Sequence, residues 1–386
     1  ISGNGYAQTF NFRVYGAERN IPNLFIYTID QTNDGYLWLG TGNGISRFDG
    51  FEFFDVAYPD SVTGRYPTSS YKDKNGIIWY GCSDGTLFYA KDRLLNSVMI
   101  ENTKSISEIT LGPDGLIFVI TQGKEIFSVN PEIPSEILKY SLKDDQVIFS
   151  GSFTSSGELL LGTQHSVILC RLSSDSLTVL NTIEGFDYSA VTAIKQTLDP
   201  KIFIIGTEGN GIFRLSLTST VPELDRFSGI SDKELNVKEI VRDNDGNYCI
   251  ATYGDGVLQF SLSDQNKVIA DLKYYNLETG LNNNDIKSVF QDVEGNYWFG
   301  TFGSGLSLLT SYAFAFVTPG HNSAENNIMY ITGYDNKYLL GTPSGFHIFN
   351  PAREVSESFT NLSGKTGNSE ITAYLLDENM NLWVGT

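Results

Sequence analysis

The sequence has few of the residues on which disulfide bonding, metal binding and nucleophilic catalysis depend. In 386 residues there are three cysteines and three histidines. The cysteines (Cys82, Cys170, Cys249) are too few and too far apart for a disulfide framework or a zinc site. The histidines (His165, His321, His347) show no metalloprotease spacing, and no Gly-Xaa-Ser-Xaa-Gly nucleophile motif is present. We therefore expect no metal, no cofactor and no catalytic residue in this chain.

Positive charge and long apolar runs are also scarce. There are 26 Lys and Arg against 45 Asp and Glu, a formal net charge of −19, which disfavours nucleic acid and anionic membrane surfaces as partners. No apolar run approaches the length of a membrane span. The chain starts at Ile1 and stops at Thr386, inside a strand motif. We expect a fragment of a longer protein, attached to a membrane only through a helix that lies further downstream.

What the sequence does contain is one repeated unit. Residues 34–41 (DGYLWLGT) read as a turn and a buried strand ending in Gly-Thr, and the unit recurs at 75–81, 294–301 and 381–386. All four tryptophans occupy one position of this unit. Weaker copies carry other apolar residues there, namely Phe118, Leu160, Ile204 and Cys249. The position therefore predicts a packing role that needs apolar volume rather than indole chemistry.

The spacing of the unit predicts the fold. Its Gly-Thr position falls at Gly40, Gly81, Ile120, Gly162, Gly206, Ala251, Gly300, Gly341 and Gly385, spaced 39 to 49 residues apart. Short strands at this period are typical of β-propeller blades with four strands each. Helical solenoids of similar period are excluded, because almost no segment has a sustained 3.6-residue pattern.

Counting the copies gives a domain layout. Seven of them run from Gly40 to Gly300, and the strand at 10–15 precedes the first inner strand. We expect residues 1–311 to form an all-β, seven-bladed propeller in which strand 10–15 closes blade seven. Residues 312–386 would begin a second, truncated propeller. A single nine-bladed ring is the alternative.

The unit Asp-Gly-Xaa-Leu-Trp-Xaa-Gly-Thr-Xaa-Xaa-Gly-Ile-Xaa-Xaa-Phe resembles the two-component-regulator propeller repeat, and residues 278–286 (ETGLNNNDI) resemble its connector. The chain is similar to the periplasmic sensor region of the hybrid two-component systems of gut Bacteroidetes. There, two propellers precede a β-sandwich, a membrane helix, a histidine kinase and a response regulator. The resemblance implies a periplasmic, dimeric receptor that binds oligosaccharides and regulates transcription of glycan-use genes, within an inner-membrane histidine kinase.

Ligand-contacting residues are predicted from the loops rather than from the repeat, which itself binds nothing. The loops after Gly-Thr and the connectors between blades share one face of a propeller. Sugars need flat apolar surfaces together with amide, carboxylate or guanidinium partners. The candidate stacking platforms are Tyr66, Tyr253 and Phe302, and the candidate polar partners are Arg19, Arg65, Asp84 and Asp255.

Two other functions remain open at this point. Acidic residues are abundant, so a propeller glycoside hydrolase or lyase with a cleft between two rings is an alternative. A scaffold that binds protein through a propeller face is the other.

Overall fold

The computed structural model contains short antiparallel strands and two single-turn 3-10 helices, Ala17–Arg19 and Leu277–Thr279, in the part of the chain that it describes. The structure describes residues 10–59, 65–91, 93–101, 104–143, 146–173, 176–230, 234–263, 266–310, 327–334, 337–342, 345–350, 355–359, 373–376 and 382–385. Within these ranges, no helix is long and apolar enough to cross a membrane.

Seven four-stranded antiparallel sheets form the propeller, and in six of them the strands follow one another in the chain. Blade one contains β2 (Ile26–Gln31), β3 (Leu37–Thr41), β4 (Gly44–Phe48) and β5 (Phe53–Asp55). Blade two contains β6 (Pro67–Lys72), β7 (Ile78–Cys82), β8 (Leu87–Lys91) and β9 (Leu94–Val98). Blade three contains β10 (Ile106–Leu111), β11 (Ile117–Thr121), β12 (Glu125–Val129) and β13 (Ile137–Ser141). Blades four and five contain β14 (Ile148–Phe153), β15 (Leu159–Thr163), β16 (Val167–Leu172) and β17 (Leu177–Ile183); β18 (Val191–Gln196), β19 (Ile202–Thr207), β20 (Ile212–Ser216) and β21 (Glu223–Arg226). Blade six contains β22 (Asn236–Arg242), β23 (Tyr248–Tyr253), β24 (Val257–Ser263) and β25 (Val268–Tyr275). The predicted all-β, seven-bladed fold is confirmed.

Blade seven is built from both ends of the propeller. Strands β26 (Ile286–Gln291), β27 (Tyr297–Thr301) and β28 (Leu306–Leu309) pair in order, and β1 (Phe12–Tyr15) adds as the outer strand. Phe12 pairs with Leu309 and Tyr15 with Leu306. The first and last blades are therefore joined by hydrogen bonds within one sheet, which removes the free edge that an open ring would leave.

The glycine of Gly-Thr permits close approach between blades. A Cβ on Gly40 would lie 2.8 Å from Cβ of Pro67, the first residue of the next inner strand, and one on Gly300 would lie 2.9 Å from Cγ2 of Ile26. Atoms cannot approach so closely without displacement, so glycine is required at these two positions, where the next blade's inner strand packs.

The tryptophan position packs between blades as predicted. Trp38 belongs to a cluster with Ile78 and Tyr80 of blade two, and Trp298 packs with residues of blade one. The prediction that only volume matters is wrong for two copies, however. The indole N–H of Trp79 donates to Asp73 (3.1 Å), and that of Trp298 donates to Asp292 (2.7 Å). The remaining copy, Trp383, is exposed.

Residues 1–11 and 312–386 make up a separate compact unit. Its described strands include a four-stranded sheet with the same order as a blade and a two-stranded hairpin. The sheet contains β29 (Tyr330–Tyr334), β30 (Lys337–Thr342), β31 (Gly345–Asn350) and β32 (Val355–Phe359), and the hairpin contains β33 (Ala373–Leu376) and β34 (Leu382–Gly385). That these strands begin a second propeller stays a prediction, as do the domain boundaries. His321 lies outside the described residues.

All three cysteines are free thiols and buried. Burial raises the pKa of Cys170 to about 12, so this thiol stays protonated and unreactive near neutral pH. Their role in the described fold is packing.

Candidate ligand-binding site

Every inner strand of the propeller has a β-bulge near its start, at the second residue in six strands and at the third residue in β22. The pairing register skips one residue at that point, from Val237 to Glu239 in β22 and from the first to the third residue in the other six strands. The skipped residues are Tyr27, Thr68, Ser107, Phe149, Thr192, Lys238 and Lys287. A bulge redirects the side chain that it carries, so the ring has seven redirected side chains near the Gly-Thr loops.

The small bulge residues are structural. The hydroxyl of Thr68 lies 3.0 Å from the carbonyl oxygen of Gly81 in its own blade and 2.6 Å from that of Ile106 in the next. Thr192 makes the same pair of contacts, to Gly206 and Val237. These hydroxyls link neighbouring inner strands by hydrogen bonds.

Two large bulge residues belong to an arc of aromatic rings, which we define as Tyr66, Tyr27, Phe302, Tyr253 and Lys238. Tyr27 stacks on Tyr66 with ring centroids 4.9 Å apart and planes at 22°, and meets Phe302 edge-on at 6.2 Å. Phe302 lies 5.4 Å from Tyr253. The Lys238 ammonium group lies 4.5 Å from the centre of the Tyr253 ring. The aromatic arc thus spans blades six, seven, one and two on the face of the Gly-Thr loops.

The arc offers both apolar surface and polar groups. Phe302 and Phe25 are each 38% exposed, and the centroids of their rings lie 4.8 Å apart. The Lys238 ammonium group is 3.2 Å from a carboxylate oxygen of Glu208 in blade five. Rings, an amine and a carboxylate in one continuous patch can stack against the C–H faces of a sugar and hydrogen-bond its hydroxyls.

The phenols of Tyr27 and Tyr253 stay protonated over the physiological range. Burial raises the pKa of Tyr253 to about 12, with smaller contributions from Tyr27 and Asp285. Burial also raises the pKa of Tyr27, and Tyr66 nearby adds to the increase. Their O–H groups are therefore hydrogen-bond donors as well as acceptors at neutral pH.

Three of the seven predicted contact residues, Tyr66, Tyr253 and Phe302, meet in the arc. Arg65 and Asp84 pair with each other instead, at 2.7 Å, and Arg65 is only 8% exposed. The Arg65 guanidinium also lies 5.3 Å from the ring centre of Phe88. Hydrogen bonds from Thr86 and the pairing with Arg65 lower the pKa of Asp84 against the opposing effect of its partial burial. This pair ties blade two together.

The other two predicted residues lie apart from these ring contacts. Arg19 ends the Ala17–Arg19 turn, with its guanidinium 5.4 Å above the ring of Tyr15. Asp255 lies in the tight turn after β23, where its backbone N–H donates to the Thr252 hydroxyl at 3.2 Å. Their contact with ligand stays a prediction.

Three acidic side chains with raised pKa values, Asp30, Glu108 and Glu239, lie on inner strands. Burial raises the pKa of Asp30 to about 7 and that of Glu108 to about 8, and it raises that of Glu239 as well. Lys195 and Lys287 moderate the increase for the two glutamates, and a hydrogen bond from Ser70 and the charge of Lys72 moderate it for Asp30. Glu239 accepts a hydrogen bond from the backbone N–H of Val289 at 2.8 Å. Among the described residues, no group of three or more Asp, Glu, His or Cys is arranged to hold a metal ion.

Sequence reasoning directed at loops missed Tyr27, Lys238 and Glu208. Tyr27 and Lys238 lie on inner strands, where alternation alone does not reveal which residue the bulge redirects. The available signal was the bulge position near the start of each inner strand, since three copies have Thr or Ser there and four have a large residue.

Comparison with known proteins supports the resemblance seen in the sequence. The profile described as two-component regulator propeller matches residues 20–43 and 280–303. A comparison with curated proteins finds no match.

The solved structures that resemble the chain share its fold at low sequence identity. One is the extracellular domain of a candidate hybrid two-component system from B. thetaiotaomicron, with a TM-score of 0.75 and 19% identity, covering 98% of this chain and 52% of that one. A second extracellular domain from the same organism has a TM-score of 0.60 and 17% identity, covering 98% and 51%. The virginiamycin B lyase of Staphylococcus aureus also has a TM-score of 0.60, with 15% identity, covering 78% and 99%. The chain spans about half the length of the first two structures. Residues 12–311 thus contain a seven-bladed propeller, and two of its segments, 20–43 and 280–303, match the two-component regulator propeller profile.

Proposed function

We propose that the chain is the ligand-sensing part of a membrane receptor and binds an oligosaccharide at the aromatic arc. The observation that carries this proposal is the run of ring contacts from Tyr66 through Tyr27 and Phe302 to Tyr253, ending at Lys238. Four blades contribute to one partly exposed surface, so a ligand bound there contacts residues from all four of them.

The repeat profile and the two extracellular domains of similar fold support an extracytoplasmic sensor. In the proposed receptor, a periplasmic dimer passes ligand binding on to a histidine kinase and so to transcription of glycan-use genes. The predicted partners, ligand class and compartment are all part of this proposal.

Calorimetric titration of the chain with oligosaccharides released from plant, host and microbial glycans tests the ligand class. At least one should bind, and Tyr253→Ala should weaken that binding by roughly tenfold, since each aromatic contact contributes on the order of 1 kcal/mol. Phe51→Ala is the matched control, because Phe51 is 90% exposed and lies outside the arc. Failure of every oligosaccharide, or equal loss in both variants, contradicts the proposal.

One observation favours the hydrolase or lyase alternative. Glu108 and Glu239 have raised pKa values and lie on inner strands, Glu239 directly after the arc residue Lys238, and a protonated carboxyl is the acid that glycoside cleavage requires. Release of new reducing ends from the bound oligosaccharide, abolished by Glu108→Gln, identifies an enzyme. Intact ligand after prolonged incubation favours the sensor.

A further inference from the structure

A cavity of about 600 Å³ lies at the Gly-Thr end of blade four, within the size range of small-molecule sites. Three segments line it: the turn at 163–166 between β15 and β16, the connector at 182–188 that leads to blade five, and Gln146 from the preceding connector. None of its lining residues belongs to the aromatic arc.

The turn on one side of the cavity is held rigidly. The Thr163 hydroxyl donates to the Ser166 carbonyl oxygen at 3.0 Å and accepts from the Ser166 backbone N–H at 3.2 Å. Between them, the His165 ring nitrogen Nδ1 lies 3.1 Å from the carbonyl oxygen of Tyr188 across the cavity. The two rings meet edge-on with centroids 5.6 Å apart. The two walls are thus in direct contact.

The connector on the other side adopts a strained backbone. Asp187 and Tyr188 are consecutive non-glycine residues with positive φ, 47° and 63°, a conformation that costs roughly 1–3 kcal/mol per residue. Asn210 holds it by donating from Nδ2 to the Phe186 carbonyl oxygen (3.1 Å) and to Asp187 (3.3 Å), and Arg226 braces Asn210 at 3.0 Å. The result is a Tyr188 ring that is 87% exposed at the cavity. The hydrogen bonds from Asn210 and Arg226 hold the backbone in this strained conformation, which places the Tyr188 ring at the cavity.

The remaining lining groups suit hydroxyls and disfavour anions. Among the described residues, the side chains of Gln146, Gln164 and Glu184 form no hydrogen bond with another protein group, so their donors and acceptors are available to a ligand. The residues that line the cavity include two carboxylates, Glu184 and Asp187, and neither lysine nor arginine. A sulfate, phosphate or uronate would meet negative charge with no cation to offset it.

We propose that this cavity is a second ligand site, which binds a neutral or amino-substituted mono- or disaccharide stacked on Tyr188. The Gln146 and Gln164 amides and the His165 ring hydrogen-bond its hydroxyls, and Glu184 pairs with an amino group where the sugar has one. The site is separate from the aromatic arc, so it stands or falls independently of the function proposed above.

Ligand-detected NMR and calorimetry on the whole chain test this site. The probes are cellobiose, maltose, lactose, xylobiose and the β-1,4-linked glucosamine disaccharide, with digalacturonate as the anionic counterpart. We expect a neutral or amino disaccharide to bind and digalacturonate not to bind. Tyr188→Ala should weaken binding by roughly tenfold, whereas Phe51→Ala, which removes an equally exposed ring elsewhere, should not. Glu184→Gln should weaken binding of the glucosamine disaccharide more than that of the neutral sugars.

The variants separate the two sites. A sugar whose binding falls with Tyr188→Ala but not with Tyr253→Ala occupies the cavity. If every bound sugar responds only to Tyr253→Ala, if digalacturonate binds as tightly as the neutral probes, or if no probe binds, the cavity proposal is overturned. Near-ultraviolet circular dichroism checks that Tyr188→Ala is folded, and Glu184→Gln gives a second test that leaves the strained backbone unchanged.

Discussion

At the scale of single residues, the blade interfaces depend on small side chains that leave room for the next blade. Blade three departs from this rule because Ile120 stands where most copies have glycine. Blade four compensates with Gly151 on its inner strand, since a Cβ there would overlap Cδ1 of Ile120. At the interface between blades three and four, the larger residue Ile120 is thus accommodated by the smaller residue Gly151, which keeps the packing dense.

This exchange predicts strong coupling between the two positions. Gly151→Ala should destabilise the protein by about 1–3 kcal/mol through overpacking. Ile120→Val, which removes Cδ1 itself, should cost about 0.5–1.5 kcal/mol. The double variant should be no less stable than Gly151→Ala alone, because the clash is gone. Urea denaturation of all three measures this.

Gly123→Ala is the control for that cycle, since a Cβ there meets only ordinary contacts at 3.5 Å or more. It should change stability by less than about 0.5 kcal/mol. If the costs of Ile120→Val and Gly151→Ala are additive in the double variant, the added Cβ at position 151 does not clash with Cδ1 of Ile120, and the prediction is wrong.

At the scale of elements, β1 is the strand on which ring closure depends. Its last residue, Tyr15, is buried against Phe48 and Phe53 of blade one, at 5.1 and 6.1 Å, and lies 5.9 Å from Trp298 of blade seven. A single side chain from the N-terminal strand therefore packs into the junction between the first and last blades.

Tyr15→Ala should thus destabilise the protein by about 3–5 kcal/mol, the usual cost of removing a buried aromatic ring. Tyr15→Phe keeps the ring and should cost far less. For comparison, Leu138→Ala removes a half-exposed apolar residue from β13, the outer strand of blade three, and should cost about 1 kcal/mol or less. Denaturant midpoints give all three values, and equal effects of Tyr15→Ala and Leu138→Ala would contradict the role assigned to β1.

The elements also show how far the sequence can lead. The blades follow from it because the Trp, Gly and Asp-Gly positions recur in every good copy, and each has a local physical reason: wedge packing, close approach and turn formation. The arc does not follow, because Tyr27 and Lys238 are redirected by bulges, and a bulge depends on pairing with another strand. The loop residues Tyr66, Tyr253 and Phe302 were accessible to reasoning, since all loops of one type share a face. The strained turn at Asp187 and Tyr188 carries no glycine or other sequence signal.

At the scale of the whole molecule, the inner strands enclose charge at the centre of an acidic protein. Asp30 accepts a short hydrogen bond from the Ser70 hydroxyl, and the Lys72 ammonium group donates to the backbone carbonyl of Gln31 at 2.7 Å. Neither contact offsets the cost of enclosing the Asp30 carboxylate, so its pKa rises to about 7. Glu239 nearby adds a like charge that acts in the same direction on both Asp30 and Glu108.

These raised pKa values predict that stability falls as pH rises from about 4 to about 8. Over this range the folded protein keeps protons on Asp30 and Glu108, with pKa values near 7 and 8, that the unfolded chain has already lost. Since the folded state binds more protons, the free energy of unfolding decreases with pH and is lowest above the folded pKa values.

Asp30→Asn and Glu108→Gln remove these ionisations, so the double variant should be more stable than the wild type at pH 8, by on the order of 1–3 kcal/mol, and should depend less on pH. Urea denaturation at pH 5 and pH 8 measures the difference, with Glu278→Gln, an exposed carboxylate in the Leu277–Thr279 turn, as the control for net charge. If the double variant keeps the wild-type pH dependence, the prediction is contradicted. Repulsion among the excess acidic groups at the surface, rather than ionisation of Asp30 and Glu108, would then determine how the free energy of unfolding changes with pH.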